Sequence, residues 1–186
     1  MKILWKKKAP ETELEKFHES SSPATPTPFV DQDRLFVYFG SFGLLCYDHE
    51  GKEIWKKRIP SPKSLYGTSS SPISHGDLLI LVADDDANLP NSRVSRSRIL
   101  AIDKKDGSTA WERPRPFHRS GWSTPTIWEH SEGKELVVLG NGSLRGYSLP
   151  EGEEKWQVDG FSRETIARPM VGNGLVFASG SKLGGS

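Results

Sequence analysis

A short motif recurs along this chain and constrains its fold more than any other feature of the sequence. Three times, a short apolar stretch is followed by a glycine and, four residues later, by a tryptophan: Gly51 and Trp55, Gly107 and Trp111, Gly152 and Trp156. A second marker is a proline that enters a short strand; it recurs at intervals of 44, 53 and 44 residues, at Pro28, Pro72, Pro125 and Pro169. Self-similarity at a period of this length is the signature of a repeat architecture.

Each repeat unit predicts four short strands and no helix. In the first unit these strands are 27–30, 34–39, 44–48 and 53–58, and the connections carry residues typical of hairpins. In the third unit we expect a longer turn over 129–135, before a strand at 136–139. Four antiparallel strands in a unit of this length are typical of a β-propeller blade.

The order of the units predicts an all-β chain that forms about half of an eight-bladed ring. The expected divisions of this single partial propeller, 1–186, are the last strand of a split blade in 1–8, blades in 24–58, 66–113 and 121–158, and the first two strands of another split blade in 165–180. The second unit is longer because of 84–98, which reads as a polar surface loop. Open blade edges can pair with another chain, so we expect a homodimer that closes the ring.

Composition excludes several classes of protein. Lys and Arg number 25 against 24 Asp and Glu, and a net charge of +1 gives no reason to expect nucleic acid or an anionic membrane as partner. The longest apolar run, Leu78–Ala83, is too short to span a bilayer. Cys46 is the single cysteine, so an internal disulfide is excluded and a buried hydrophobic role is expected. Residues 1–8 lack the apolar region of a signal peptide.

The segment 101–111 resembles the tryptophan docking motif of pyrroloquinoline-quinone-type propeller repeats, Ala-x-Asp-x-x-x-Gly-x-x-x-Trp. The segment 46–55 is similar but one residue shorter, and 146–156 has Ser148 where Asp is usual. This family includes quinoprotein alcohol dehydrogenases and the propeller lipoprotein of the outer-membrane assembly machinery. The resemblance implies a periplasmic or cell-surface location.

The motif also has a physical interpretation of its own. An Asp can bond to amides of the turn, Gly can adopt a positive φ, and Trp can fill the wedge between blades while its N–H bonds to a carbonyl. We therefore expect a structural docking role for Asp48, Gly51, Trp55, Asp103, Gly107, Trp111, Gly152 and Trp156.

Candidate binding residues follow from propeller geometry, because the loop that enters each innermost strand lies near the central funnel. Arginines suit anions and aromatic rings suit stacking, which makes Tyr66, Arg119, Trp122 and Arg163 candidates for a ligand site. The alternative is that these side chains bridge neighbouring loops. His18 and Glu19 form a further candidate pair before the first marker proline.

Metal and catalytic signals are weak. Asp84, Asp86 and Asn88 could offer oxygen ligands to Ca²⁺, but arginines in the same loop could neutralise these carboxylates. No residue matches the catalytic base that the resemblance implies. The leading hypothesis is a non-catalytic binding or scaffold module without a cofactor, with a protein or peptide partner bound by strand addition. The alternative is a fragment of a quinone-dependent dehydrogenase, which would bind the quinone with Ca²⁺.

Overall fold

The computed structural model describes residues 2–86, 96–116, 118–140, 142–161 and 164–180. Within these ranges the regular secondary structure consists of β-strands, arranged in antiparallel sheets. In the same ranges there is no helix with the length and apolarity needed to span a membrane. The predicted fold class, an all-β partial propeller with four-stranded blades, is confirmed.

Three sheets contain four strands each, in the order of the sequence. The first sheet contains β1 (Phe29–Val30), β2 (Arg34–Phe39), β3 (Gly43–Asp48) and β4 (Glu53–Arg58). The second contains β5 (Ile73–His75), β6 (Leu78–Ala83), β7 (Arg98–Asp103) and β8 (Thr109–Pro114). The third contains β9 (Thr126–His130), β10 (Gly133–Gly140), β11 (Ser143–Ser148) and β12 (Glu154–Asp159). A two-stranded sheet follows, with β13 (Met170–Gly172) and β14 (Leu175–Phe177).

The three whole sheets share a local irregularity. Between the third and fourth strand of each, the pairing register shifts at one position: Cys46/Tyr47, Ala101/Ile102 and Gly146/Tyr147. Such an irregularity increases the local twist of the strands. The three units therefore repeat in detailed geometry as well as in strand order.

The core lies between neighbouring sheets. Phe36 and Leu44 of the first sheet share a buried cluster with Leu79 and Leu100 of the second, and all four side chains are at most 3% exposed. A second cluster joins the second and third sheets, and a third joins β10 and β11 to Val176 and Ala178 near β14. Cys46 is buried in the first of these clusters, and burial raises the pKa of its thiol to about 11.

Hydroxyl groups link neighbouring blades beside the innermost strands. The amide of Thr27 donates to Ser71 Oγ at 2.9 Å, and the amide of Ser71 donates to Thr124 Oγ1 at 3.1 Å. Each of these residues directly precedes a marker proline, so the hydroxyl and the proline belong to the same repeated unit.

Two details of the predicted strands are wrong. The expected long turn over 129–135 is a two-residue turn between β9 and β10, because Gly133 adopts a φ of 130° that lets the strands continue closer to the turn. Residues 2–8, predicted as the last strand of a split blade, contain no strand. A strand needs a hydrogen-bonded neighbour, and no strand in the described ranges pairs with this segment.

Candidate functional site

The blades present two faces that differ in their loops. Because each blade is an up-and-down sheet, the connections within β1–β2 and β3–β4 lie on one side, here called the lower face. The connections within β2–β3 and between successive blades lie on the other side, the upper face. The docking motifs occupy turns of the lower face, whereas Tyr66, Arg119 and Trp122, the described residues among the candidates for a ligand site, lie on the upper face.

The motif turns of the lower face are closed by the side chain at the Asp position. In each turn this side chain accepts a hydrogen bond from a nearby amide, at 2.7 Å for Lys52 to Asp48, 2.7 Å for Lys105 to Asp103 and 3.0 Å for Glu153 to Ser148. The Ser148 hydroxyl thus performs the function that a carboxylate performs in the other two turns. The motif glycines have φ values of 82°, 77° and 69°, which L-residues with side chains rarely adopt.

The tryptophans of the lower face contact the glycine of the following unit. A Cβ atom at Gly107 would lie 2.8 Å from the Trp55 ring, so only glycine leaves room for the indole. The Trp55 N–H donates to the carbonyl of Lys104 at 2.9 Å. Trp111 lies over Gly152 in the same way. Trp5 lies over Gly51, and its N–H donates to a carbonyl at 2.8 Å, although its segment forms no strand.

Trp156 has a different environment from these tryptophans. Its indole lies over Gly146 of its own sheet, where a Cβ atom would approach within 2.2 Å, and its N–H donates to the carboxylate of Glu135. The ring also packs edge-on against Trp128, with 6.2 Å between the ring centroids. No motif glycine of a following unit lies among the described residues, so Trp156 packs within its own blade.

On the upper face, three of the sequence-predicted residues lie together. The rings of Tyr66 and Trp122 meet edge to face with 5.2 Å between their centroids, and the centroid of the His18 ring also lies 5.2 Å from that of Tyr66. The Trp122 N–H donates to the carbonyl of Gly67 at 3.1 Å and to Ser64 Oγ at 3.2 Å, which holds the indole in place. Glu19, beside His18 in the sequence, is exposed.

The two predicted arginines do not join this cluster in the structure. Arg119 Nε lies 3.3 Å from Asp86 Oδ1, and the same carboxylate accepts hydrogen bonds from the amide and hydroxyl of Ser120 at 3.0 and 2.7 Å. Arg119 therefore bridges neighbouring loops, the alternative that the sequence left open. Arg163 lies outside the described residues.

The carboxylates of Asp84 and Asp85, in the loop that follows β6, form ion pairs with arginines. Asp84 and Arg115 form a two-pronged ion pair, with N–O distances of 2.9 and 3.1 Å, and their side chains are 2% and 1% exposed. Burial raises the pKa of Asp84 to about 6, while the Arg115 guanidinium opposes that rise. Asp85 pairs with Arg96 at 3.1 Å. The prediction that 84–98 is a polar surface loop is therefore wrong for Asp84 and Asp85, whose side chains are buried. They can be buried because the ion pairs compensate their charges.

The carboxylates proposed for Ca²⁺ are engaged by these cations. Asp84 faces Arg115, Asp86 faces Arg119, and Asn88 lies outside the described residues. Across the described ranges, no three His, Cys, Asp or Glu side chains are grouped as a metal site would require. Asp84 and Asp86 therefore do not fit a calcium site beside a quinone.

His118 lies in the same buried polar region. Its Nδ1 lies 3.2 Å from the carbonyl of Pro116, and the side chain is almost fully enclosed. Burial, together with the positive charges of Arg115 and Arg145, lowers the pKa of His118 to about 3. The folded protein therefore holds this imidazole neutral.

We expect this histidine to make the fold sensitive to acid. The unfolded chain takes up a proton near pH 6.5 but the folded chain only near pH 3, so stability from this group falls as the pH drops between these values. At pH 5 the expected loss is about 2 kcal/mol relative to neutral pH. Asp84, whose pKa is raised on folding, contributes in the opposite direction in the same pH range, so the loss is read from a comparison of two proteins. In urea unfolding at pH 7 and pH 5, the change in stability of wild type should be less favourable than that of His118→Asn by about 2 kcal/mol. An equal acid loss in both proteins would contradict the prediction, because Asp84 titrates in both.

Two polar residues of the upper face, Glu15 and Arg115, belong to no motif from which the sequence could predict their roles. Glu15 is buried; its carboxylate accepts the Thr68 hydroxyl at 2.7 Å, and its amide donates to Ser41 Oγ at 2.9 Å. Burial raises the pKa of Glu15. These bonds anchor the segment before β1 to the first two blades. Arg115 was missed as well, because its partner Asp84 lies 31 residues away in the preceding loop.

The two-stranded sheet leaves apolar surface exposed. Val176 packs toward the third blade, whereas Leu175 and Phe177 point away from it and are 58% and 56% exposed. A cavity of about 640 Å³ lies between this sheet and β12, lined by apolar side chains that include Trp156 and Val158. The outward side of β13 and β14, which carries these exposed apolar side chains, is here called the open end.

The blades, their docking turns and their tryptophans define this protein as a β-propeller with quinoprotein-type repeats. The chain belongs to the family described as outer membrane protein assembly factor BamB, whose family model matches residues 2–184. No curated protein sequence is significantly similar to it.

Solved structures share the fold at low sequence identity. The crystal structure of BamB from Moraxella catarrhalis is 15% identical, with a TM-score of 0.57 over 76% of this chain. Quinohemoprotein alcohol dehydrogenase from Comamonas testosteroni is also 15% identical, with a TM-score of 0.52 over 81% of this chain. The matched region covers 41% and 31% of those two proteins.

Proposed function

We propose that this chain is a non-catalytic propeller module that binds a protein partner at its open end. The observation that carries the proposal is the outward face of β13 and β14, where Met170, Leu175 and Phe177 are 68%, 58% and 56% exposed. An apolar face beside a strand edge that has no neighbouring strand in the described part of the chain suits strand addition and sheet stacking. The family is named for the assembly of outer membrane proteins, which supports a periplasmic scaffold.

A second copy of the chain is the partner that we propose first. Blades of this chain already stack on one another through apolar faces at successive interfaces. The outer face of the first blade offers Leu35, Val37 and Phe39, which are only partly buried. The apolar outer face of the first blade in a second copy could therefore pack against the apolar open end. If both ends paired in this way, two copies would close a ring.

Light scattering across a dilution series tests this proposal. We expect a mass of about twice 20.7 kDa that persists on dilution. Leu175→Asp should shift the mass to that of the single chain, because a carboxylate would be buried against the partner's apolar face. Leu65→Asp is the matched control, since Leu65 is 62% exposed in the connection between β4 and β5, away from both the open end and the outer face of the first blade. A single-chain mass at every concentration would overturn ring closure.

The second candidate is a quinone-dependent dehydrogenase, which the structural likeness to the alcohol dehydrogenase favours. The engaged carboxylates of Asp84 and Asp86 weigh against a calcium site at this position. Incubation with the quinone and Ca²⁺, followed by desalting, distinguishes the candidates. Retained cofactor absorbance would support the dehydrogenase and contradict the non-catalytic module.

A further inference from the structure

A cavity of about 660 Å³ opens along the innermost strands of the blades. Each of β1, β5, β9 and β13 contributes an apolar residue to its wall: Phe29, Ile73, Ile127 and Val171. The volume is within the range of small-molecule sites. The exposed side chains of the open end do not line this cavity, so binding here can be tested separately from ring closure.

The residue before the marker proline also lines this cavity in every unit, and it differs in the last one. The first three units have a hydroxyl side chain there, on Thr27, Ser71 and Thr124, whereas the fourth has Arg168. Two of these hydroxyls link neighbouring blades, and that link needs no charged group. The arginine therefore departs from the repeat at a position beside the cavity, where the blade architecture does not require it.

The guanidinium of Arg168 has unused hydrogen-bonding capacity. Its Nη2 donates to Thr126 Oγ1 at 3.3 Å, and no carboxylate in the described part of the chain forms an ion pair with it. A guanidinium carries five N–H donors, so most of them remain available. Arg168 is also the one formally charged residue among the described residues of the cavity wall. The cavity therefore has a positive charge without a described counterion.

The hydroxyl groups of the cavity wall add further donors. Ser71 Oγ accepts the amide of Thr27 at 2.9 Å, Thr124 Oγ1 accepts the amide of Ser71 at 3.1 Å, and Thr126 Oγ1 accepts Arg168. Each hydroxyl also has a hydrogen to donate, and the described residues provide no acceptor for these three hydrogens. The cavity thus combines one positive charge with an excess of hydrogen-bond donors.

We propose that this cavity binds a carboxylate attached to an apolar group. The planar guanidinium of Arg168 suits both oxygens of a carboxylate, and the hydroxyls suit their remaining lone pairs. The apolar residues of the four innermost strands would contact the body of the ligand. One guanidinium balances one negative charge, which favours a carboxylate over a doubly charged phosphate. Arg168 would repel a cation.

Calorimetric titration with 3-phenylpropanoate tests the proposal. The control ligand is 3-phenylpropanamide, which has nearly the same shape but no charge. We expect saturable binding of the carboxylate and at least about tenfold weaker binding of the amide, because the amide cannot form the charge-assisted pair with Arg168. Equal binding of the two ligands, or no binding of the carboxylate, would overturn the proposal.

A third ligand distinguishes the source of the carboxylate. N-acetyl-phenylalanine has the same carboxylate and ring as 3-phenylpropanoate, together with a peptide bond. Tighter binding of N-acetyl-phenylalanine would support the carboxyl terminus of a peptide as the occupant. Tighter binding of 3-phenylpropanoate would support a small organic acid.

Variants separate the contact with Arg168 from a general effect of charge. Arg168→Gln should weaken binding of 3-phenylpropanoate at least about tenfold and leave binding of the amide unchanged. The Arg168 side chain is exposed, so this variant should fold normally, which circular dichroism checks. Lys134→Gln is the matched control, because it removes the same charge from β10 outside the cavity and should bind normally. Unchanged binding in Arg168→Gln, or an equal loss in Lys134→Gln, would overturn the proposal.

Discussion

Arg115→Met is expected to lower the free energy of unfolding by about 3–5 kcal/mol. The substitution leaves Asp84 without the guanidinium that compensates its charge, in a site where the carboxylate is 2% exposed. It also removes the hydrogen bond from Arg115 to the Tyr147 hydroxyl at 3.2 Å. Urea unfolding at pH 7, followed by circular dichroism, measures the loss.

The control for this prediction is Arg119→Met in the same loop region. The Arg119–Asp86 pair has side chains that are 34% and 22% exposed, so water screens it and its loss should cost about 1 kcal/mol or less. A second control is the double variant Asp84→Leu with Arg115→Met, which removes both charges and should recover much of the stability. Equal losses in Arg115→Met and Arg119→Met would contradict the buried-pair interpretation.

The Arg115 variant should also respond to pH in a definite direction. Burial already raises the pKa of Asp84 to about 6, and removal of Arg115 takes away the group that opposes this rise. The unfolded carboxyl keeps its ordinary pKa of 3.8, so the folded variant binds this proton more readily than the unfolded chain. Relative to wild type, Arg115→Met should therefore be less destabilised at pH 5 than at pH 8.

Trp55→Ala is expected to cost about 3–5 kcal/mol of stability. The indole is 9% exposed and fills the space over Gly107, so its removal leaves a cavity between the first and second blades. The hydrogen bond from its N–H to Lys104 is lost at the same time. Thermal and urea unfolding of the variant measure the effect.

Trp156→Ala is the matched control, because it removes the same side chain from the same position of the repeat. Trp156 is only partly buried and packs within its own sheet, without a following motif glycine among the described residues. Its removal should cost about 1–2 kcal/mol. If the two variants were equally destabilised, the docking between blades would not explain the importance of Trp55.

The strands could be predicted from the sequence because their signals are local. The apolar runs before each motif glycine correspond to β3, β7 and β11, and the marker prolines precede the innermost strands β1, β5, β9 and β13. The turn before β10 was mispredicted because several polar residues near Glu132 read as a long loop. The presence of Gly133 in this segment indicated that a shorter turn was possible, because glycine readily adopts the positive φ of a tight connection.

The candidate site could be predicted only in part. Tyr66 and Trp122 were found because each lies in a loop that enters an innermost strand, six residues before Pro72 and three residues before Pro125, and they meet although they lie 56 residues apart. The same argument placed Arg119 beside them, but Asp86 of another loop competes for its guanidinium. Sequence spacing predicts which loops are neighbours, whereas the partner of a charged side chain depends on the path of each loop.

By itself, the sequence determined the repeat, the four-strand blade and the docking turns, because each depends on residues close together in one unit. The tertiary structure decided which charges are buried as pairs, as for Asp84 and Arg115, and which tryptophans pack between blades. It also decided that Trp156, in the same motif as Trp55, packs inside its own blade. These outcomes depend on how sheets stack, because a side chain on one blade meets its partner only when the next blade lies against it.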